Sequence, residues 1–203
     1  MILFIQKMSI KQTIQEDSGV YFITFTCVKW IPLIQITNGY SLIYDWYRYL
    51  QKSGHFIISY VIMPNHVHTI IAYRKSNKTM NELVGNGKRF IAYGIVKKLN
   101  ELKMTTLLNQ LSSYVIKSEK KNNKLHEIFE PSFDHKDLRS IKFIQQKANY
   151  IHHNPIKSGL SEIPEAYEHS SGNYYLNGIR GHIDVITYME LQDIDLNKQI
   201  EAK

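Results

Sequence analysis

Apolar and polar positions change period along this chain, and the changes mark out its elements. Residues 19–30 are dominated by β-branched and aromatic side chains, Val20, Tyr21, Phe22, Ile23, Thr24, Phe25 and Thr26 among them. That composition suits a pleated, half-buried strand. Residues 39–52 place Leu42, Ile43, Trp46, Tyr49 and Leu50 at helical spacing. Residues 55–63 and 66–73 read as two more strands with only Pro64 and Asn65 between them. So short a break predicts an antiparallel hairpin. A helix is expected over 80–103, with Thr79 as N-cap and Glu82 at capping-box spacing, although Gly85, Gly87 and Gly94 work against it. A helical piece over 105–117, a polar connection over 118–124 and a short fourth strand over 128–133 follow. The last long helix is expected over 140–153, with Ile141, Ile144, Ala148 and Ile151 on one face. Pro155 should end it.

The order strand, helix, hairpin, helix, strand, helix predicts an α+β fold: a ferredoxin-like antiparallel sheet with helices packed on one face. Residues 1–18 read as a leader, 19–181 as one domain, and 182–203 as a C-terminal tail with a short helix.

Composition narrows the partners. Hydrophobic residues make up 43% of 203 positions, enough for a sizeable core. No stretch approaches the roughly 20 apolar residues of a membrane span, so no membrane partner is expected. The opening Met1-Ile2-Leu3-Phe4-Ile5 breaks at Gln6-Lys7 and does not read as a signal peptide. The single cysteine, Cys27, excludes an intrachain disulfide and a thiolate zinc site, which fits a cytoplasmic location. With 25 Lys+Arg against 18 Asp+Glu the net charge is +7, favouring a polyanion, nucleic acid before membrane. The 14 tyrosines supply aromatic surface that also tolerates water.

Chemistry concentrates in two places. His66 and His68 lie two apart in a predicted strand and therefore share a face, with Val67 turned away. They form half of a metal site. The best supplier of the rest is Asn149-Tyr150-Ile151-His152-His153-Asn154-Pro155, where Tyr150 and Asn154 are four apart on one helix face. His152 faces away from both, and His153 is the nearer alternative ligand. Two imidazoles and an amide oxygen, without thiolate, fit Mg²⁺ or Mn²⁺ at least as well as Zn²⁺. A tyrosine phenol, ordinarily titrating near about 10, attacks poorly without activation. A neighbouring cation that also polarises a phosphate oxygen would change that.

These residues carry a resemblance. Tyr21-Phe22-Ile23-Thr24-Phe25-Thr26, then Val61-Ile62-Met63-Pro64-Asn65-His66-Val67-His68, then Phe133-Asp134-His135, and finally Tyr150-Ile151-His152-His153-Asn154-Pro155-Ile156-Lys157-Ser158-Gly159-Leu160 occur in an order that resembles the single-tyrosine members of the HUH nuclease superfamily. These are the IS200-type transposases, and especially the REP-associated tyrosine transposases. The resemblance spans roughly residues 19–175. It implies His66 and His68 as metal ligands, Asn154 as a further ligand, Mg²⁺ or Mn²⁺ as the ion, and Tyr150 as nucleophile. It also implies single-stranded or hairpin DNA as substrate, cut and rejoined through a 5′-phosphotyrosine intermediate. Residues 98–123 do not follow the family pattern, which leaves sequence preference open. Some relatives complete their sites across a dimer and others act alone, so a monomer or a homodimer is compatible.

Among basic residues, Arg74 and Lys75, just after the histidine strand, and Lys88 and Arg89, on the predicted helix, are the DNA-contact candidates. The competing reading is a non-catalytic single-stranded nucleic-acid-binding module on the same kind of sheet. It would call for exposed aromatics on the central strands and no metal.

Overall fold

The computed structural model describes residues 14, 17–120, 123–198 and 200. Most of the expected leader, 1–18, therefore lies outside the described residues, as does the end of the expected tail. Four strands, β1 (Gly19–Thr26), β2 (Phe56–Ile62), β3 (His66–Tyr73) and β4 (Asp134–Asp137), form one antiparallel sheet in the order β2-β3-β1-β4. The helices are α1 (Leu33–Ile36), α2 (Tyr40–Lys52), α3 (Met80–Glu101), α4 (Thr105–Ser113), α5 (Lys117–Lys120), α6 (Ile141–Lys157) and α7 (Gly172–Asn177). This is the expected α+β, ferredoxin-like arrangement.

The two crossover helices behave as expected. Ile43, Trp46, Tyr47 and Leu50 of α2 and Leu83, Val84, Ile91 and Ile95 of α3 bury against Tyr21, Ile23, Val67 and Ile71 on one sheet face. The predicted capping box opens α3: Thr79 accepts from the Glu82 amide while Glu82 takes the Thr79 N–H. Gly87 does not break α3, because a Cβ there would run into the Trp46 indole, which lies against it. Among the described residues no helix is long and apolar enough to cross a membrane.

Four expectations are corrected. Helix α6 does not join the other two: Ile144, Ala148 and Ile151 pack with Val20, Phe22, Ile58, Val61 and Ile70 on the opposite face, so the sheet is covered on both sides. Helix α6 also runs through Pro155 to Lys157. Proline removes one amide near the last turn, and the end is closed instead by left-handed Gly159 (φ 68°). Leu160 N–H donates to the Pro155 carbonyl and Gly159 N–H to that of Ile156. The fourth strand falls at 134–137, not 128–133, where only a single bridge, Cys27 to Phe129, forms. A polar edge strand, Asp-His-Lys-Asp, leaves no hydrophobic alternation to read. Finally, 182–198 contains a 3₁₀ turn, Glu190–Asp193, in place of the expected helix. It is docked through buried Ile183, Val185 and Leu191, with Ile186 N–H bonded to the Ile57 carbonyl.

Candidate active site

The site is built where α6 crosses the end of the β2–β3 hairpin. Strand β3 turns His66 and His68 to the α6 face, and the cross-strand register sets Thr26 opposite His66 and Thr24 opposite His68. The hairpin tip is fixed from three sides. Met63 N–H bonds the His66 carbonyl, Asn65 O accepts from Cys27, and Pro64 O accepts from Ile34 and Gln35.

Each imidazole is oriented by a neighbour. Asn65 Nδ2 donates to the Trp30 carbonyl at 3.1 Å, which leaves its Oδ1 facing His66 Nδ1 at 2.7 Å. Nδ1 must then carry the proton, and His66 Nε2 holds the lone pair. His68 Nδ1 lies 2.7 Å from Thr24 Oγ1. The two rings stand 4.7 Å apart at 72°. Burial pushes the pKa of His66 down, partly offset by the Asn154 side chain, which favours the protonated ring by hydrogen bonding to it. Burial, then His66 and Lys147, push His68 down to about 3. Both imidazoles are therefore neutral at pH 7, the form in which they ligate metals.

Helix α6 supplies the remainder. Its apolar stripe faces the sheet, and the adjoining stripe carries Lys147, Tyr150, Asn154 and Lys157 at i, i+3, i+7 and i+10. Asn154 is buried and reaches the His66 ring. The Tyr150 ring sits edge-on to His68 at 5.3 Å and to Phe22 at 6.0 Å. It remains 38% exposed, so a large substrate can reach it. The ammonium groups of Lys147 and Lys157 both stand 5.2 Å from the Tyr150 ring centre. Lys147 also lies 4.8 Å over Phe22.

His66, His68, Tyr150 and Asn154 thus come together within one chain. The donor set fits a hard or borderline divalent ion: two neutral, hydrogen-bond-oriented imidazoles and a buried amide, with exposed space beside them. The two other α6 histidines do not join it. His152 is buried against Ser59 and Ser171 through Nε2, at 3.0 and 2.9 Å. His153 is exposed and bonded to the Asn149 carbonyl.

The four basic candidates for DNA contact lie away from the histidine pair. Arg74 is six residues beyond His68 (74 − 68 = 6), roughly 20 Å along the strand, and its guanidinium donates to Lys198 O. Lys75 pairs with Asp17 at 3.0 Å. Lys88 donates to the carbonyls of Glu130 and Ser132 at 2.8 and 2.9 Å, and burial pushes it down to about 8. Arg89 is exposed and lies over the Phe90 ring on α3, on the other side of the sheet. The basic side chains that do stand beside Tyr150 are Lys147 and Lys157. Helix arithmetic from Tyr150 would have found both.

No family model matches this sequence, and no curated protein matches it. Among solved structures, the REP-associated tyrosine transposase bound to a REP hairpin has a similar fold. The TM-score is 0.61 at 16% identity, over 96% of this chain and 100% of that one. A proposed transposase from Deinococcus radiodurans R1 aligns with 71% of this chain and 97% of its own, at 14% identity and a TM-score of 0.37. The resemblance read from the motifs is accompanied by a shared fold over nearly the whole length.

Proposed function

We propose that this chain is a metal-dependent, transposase-type DNA strand transferase, acting on single-stranded or hairpin DNA through a tyrosine nucleophile. The observation that carries the reading is the convergence of His66, His68, Tyr150 and Asn154 from a hairpin and a helix that have no sequence proximity. The REP hairpin held by the structural neighbour supports the substrate class.

His66, His68 and Asn154 would hold Mg²⁺ or Mn²⁺, which when bound would supply Lewis-acid stabilisation of the charge developing on the phosphate. The other parts belong to the chain. Lys147 and Lys157 draw the scissile phosphate to the Tyr150 face of α6. Phe22 and the sheet beneath keep the Tyr150 ring in place. The Tyr150 oxygen attacks phosphorus, the phenol proton passes to solvent, and the bond to the 3′ oxygen breaks. That oxygen takes up a proton, leaving a 3′-hydroxyl and a 5′-phosphotyrosine. The ester conserves the bond energy, so a second 3′-hydroxyl can reverse the step and join a new end. All four residues come from one chain, so cleavage in this reading requires no second copy, and monomer or homodimer both suffice.

The test is incubation with single-stranded hairpin oligonucleotides and Mn²⁺, followed by a denaturing gel. A covalent protein–DNA adduct is expected. It should vanish with Tyr150→Phe, which should still bind DNA, and with His66→Ala or chelator. An adduct that survives Tyr150→Phe overturns the nucleophile. Tight, metal-independent binding without any adduct favours the non-catalytic module.

A further inference from the structure

A second histidine cluster lies on the other side of the sheet. The segment around His169 runs alongside β2: Ile62 N–H donates to the His169 carbonyl at 2.8 Å, and Ser170 bridges Val61. The side chain of His169 meets α2, where the Tyr40 ring stacks on it at 3.5 Å and 15°. Tyr44 Oη lies 2.9 Å from His169 Nδ1. The same Tyr44 ring stacks on His182 at 4.6 Å. His182 Nε2 in turn lies 3.1 Å from Glu168 Oε1. One ligand atom from each of Glu168, His169 and His182 falls within 4.8 Å of the other two.

We propose that Glu168, His169 and His182 form a second divalent-metal site, suited to a borderline transition ion such as Zn²⁺. Two imidazoles and one carboxylate are a three-ligand set that Zn²⁺ favours, with the fourth position left for water. Ligands at roughly 2.0–2.1 Å in a tetrahedron stand about 3.3 Å apart, and the His182–Glu168 pair is already near that spacing. With His169 Nδ1 facing Tyr44 Oη at 2.9 Å, the tautomer that carries its proton on Nδ1 leaves Nε2 to ligate. Burial raises the Tyr44 phenol, so it stays protonated and neutral beside the ring. A cavity of about 360 Å³ lined by Glu168, His182, Tyr167 and Arg180 opens beside the triad, with room for the water.

The site would be a clamp. His169 is anchored to β2 and α2, whereas His182 leads into the segment that docks Ile183 and Val185 against the core. Ligation closes a loop between Glu168 and His182 and ties that segment down. This role is independent of strand cleavage.

The test uses the full chain carrying His66→Ala and His68→Ala, stripped with chelator, so that only the second site remains. Titration with Zn²⁺ should give one equivalent bound and raise the Tm by several degrees. Co²⁺ in its place should give the visible absorption of a tetrahedral centre. Adding His182→Gln should weaken Zn²⁺ binding at least tenfold. Absence of bound Zn²⁺ in the folded double variant overturns the proposal, as does binding that is indifferent to His182→Gln. Should the variants fail to fold, a Zn²⁺ soak of wild-type crystals decides. An anomalous peak between the three side chains supports the clamp, and its absence overturns it.

Discussion

Thr24→Val isolates the orienting role of the threonine behind His68. Valine matches the shape of threonine, so it leaves no cavity, and β1 is a strand position that valine favours. What disappears is the 2.7 Å contact to His68 Nδ1. His68 is buried, so its Nδ1 would lose its partner at a cost of about 1–3 kcal/mol in fold stability. Its ring would also lose the bond that holds its orientation. Removing such a partner behind a metal-bound imidazole typically weakens metal affinity 10–100-fold, about 1.4–2.7 kcal/mol at roughly 1.36 kcal/mol per decade. Titration of Mn²⁺ by calorimetry, in parallel with adduct formation at rising Mn²⁺, should show a Kd raised within that range. The adduct rate at saturating Mn²⁺ should recover to within a few-fold. Thr24→Ser retains the hydroxyl and should restore most of the affinity. A Thr24→Val protein whose Mn²⁺ Kd stays within twofold of wild type would refute the reasoning.

Other consequences follow from the same structure. Lys147→Ala and Lys157→Ala should each weaken single-strand binding and reduce the salt slope of log K by roughly 0.7, the value per phosphate contact on single strands. An unchanged slope in fluorescence anisotropy across salt would remove these lysines from the DNA path. Buried His55 and His152, each pushed down to about 4 chiefly by burial, and His68, pushed down to about 3, bind fewer protons when folded than when unfolded, where histidine titrates near about 6.5. Stability of the chelator-treated chain should therefore be unaffected by these groups above that pH and fall progressively between about pH 6.5 and 3. Urea midpoints that stay level from pH 7 to pH 4 would contradict this. Gly87→Ala should cost about 1–3 kcal/mol, because the new methyl meets the buried Trp46 indole in a filled core. Thermal unfolding that matches wild type would show that the indole moves aside.

Much of this protein can be read locally. The alternation in 66–73 put both histidines on one face, and the four-residue spacing of Tyr150 and Asn154 put them on one stripe. These are consequences of strand and helix periods alone, which any neighbouring structure must respect. Caps and turns were equally legible: the Thr79–Glu82 box and the Pro64-Asn65 hairpin depend on a handful of adjacent residues. Where a single stripe or strand meets the rest of the chain, local pattern stops deciding. Lys88 looks like any exposed helix lysine until the Glu130 and Ser132 carbonyls close on it, and 134–137 carries no apolar signal because an edge strand is held by β1 backbone.

The sequence by itself determined the two halves of the site and the kind of sheet that carries one of them. Only the tertiary structure decided that α6 crosses the second face of that sheet and lays Tyr150 and Asn154 beside His68 and His66. It also decided that Lys147 and Lys157, not Arg74 and Lys75, stand there. The physical reason is that side-chain direction within an element is set by a few dihedral angles. Which faces meet is set by burying Ile144, Ala148 and Ile151 against Val20, Phe22 and Ile70, contacts made between residues more than 70 positions apart that no local period encodes.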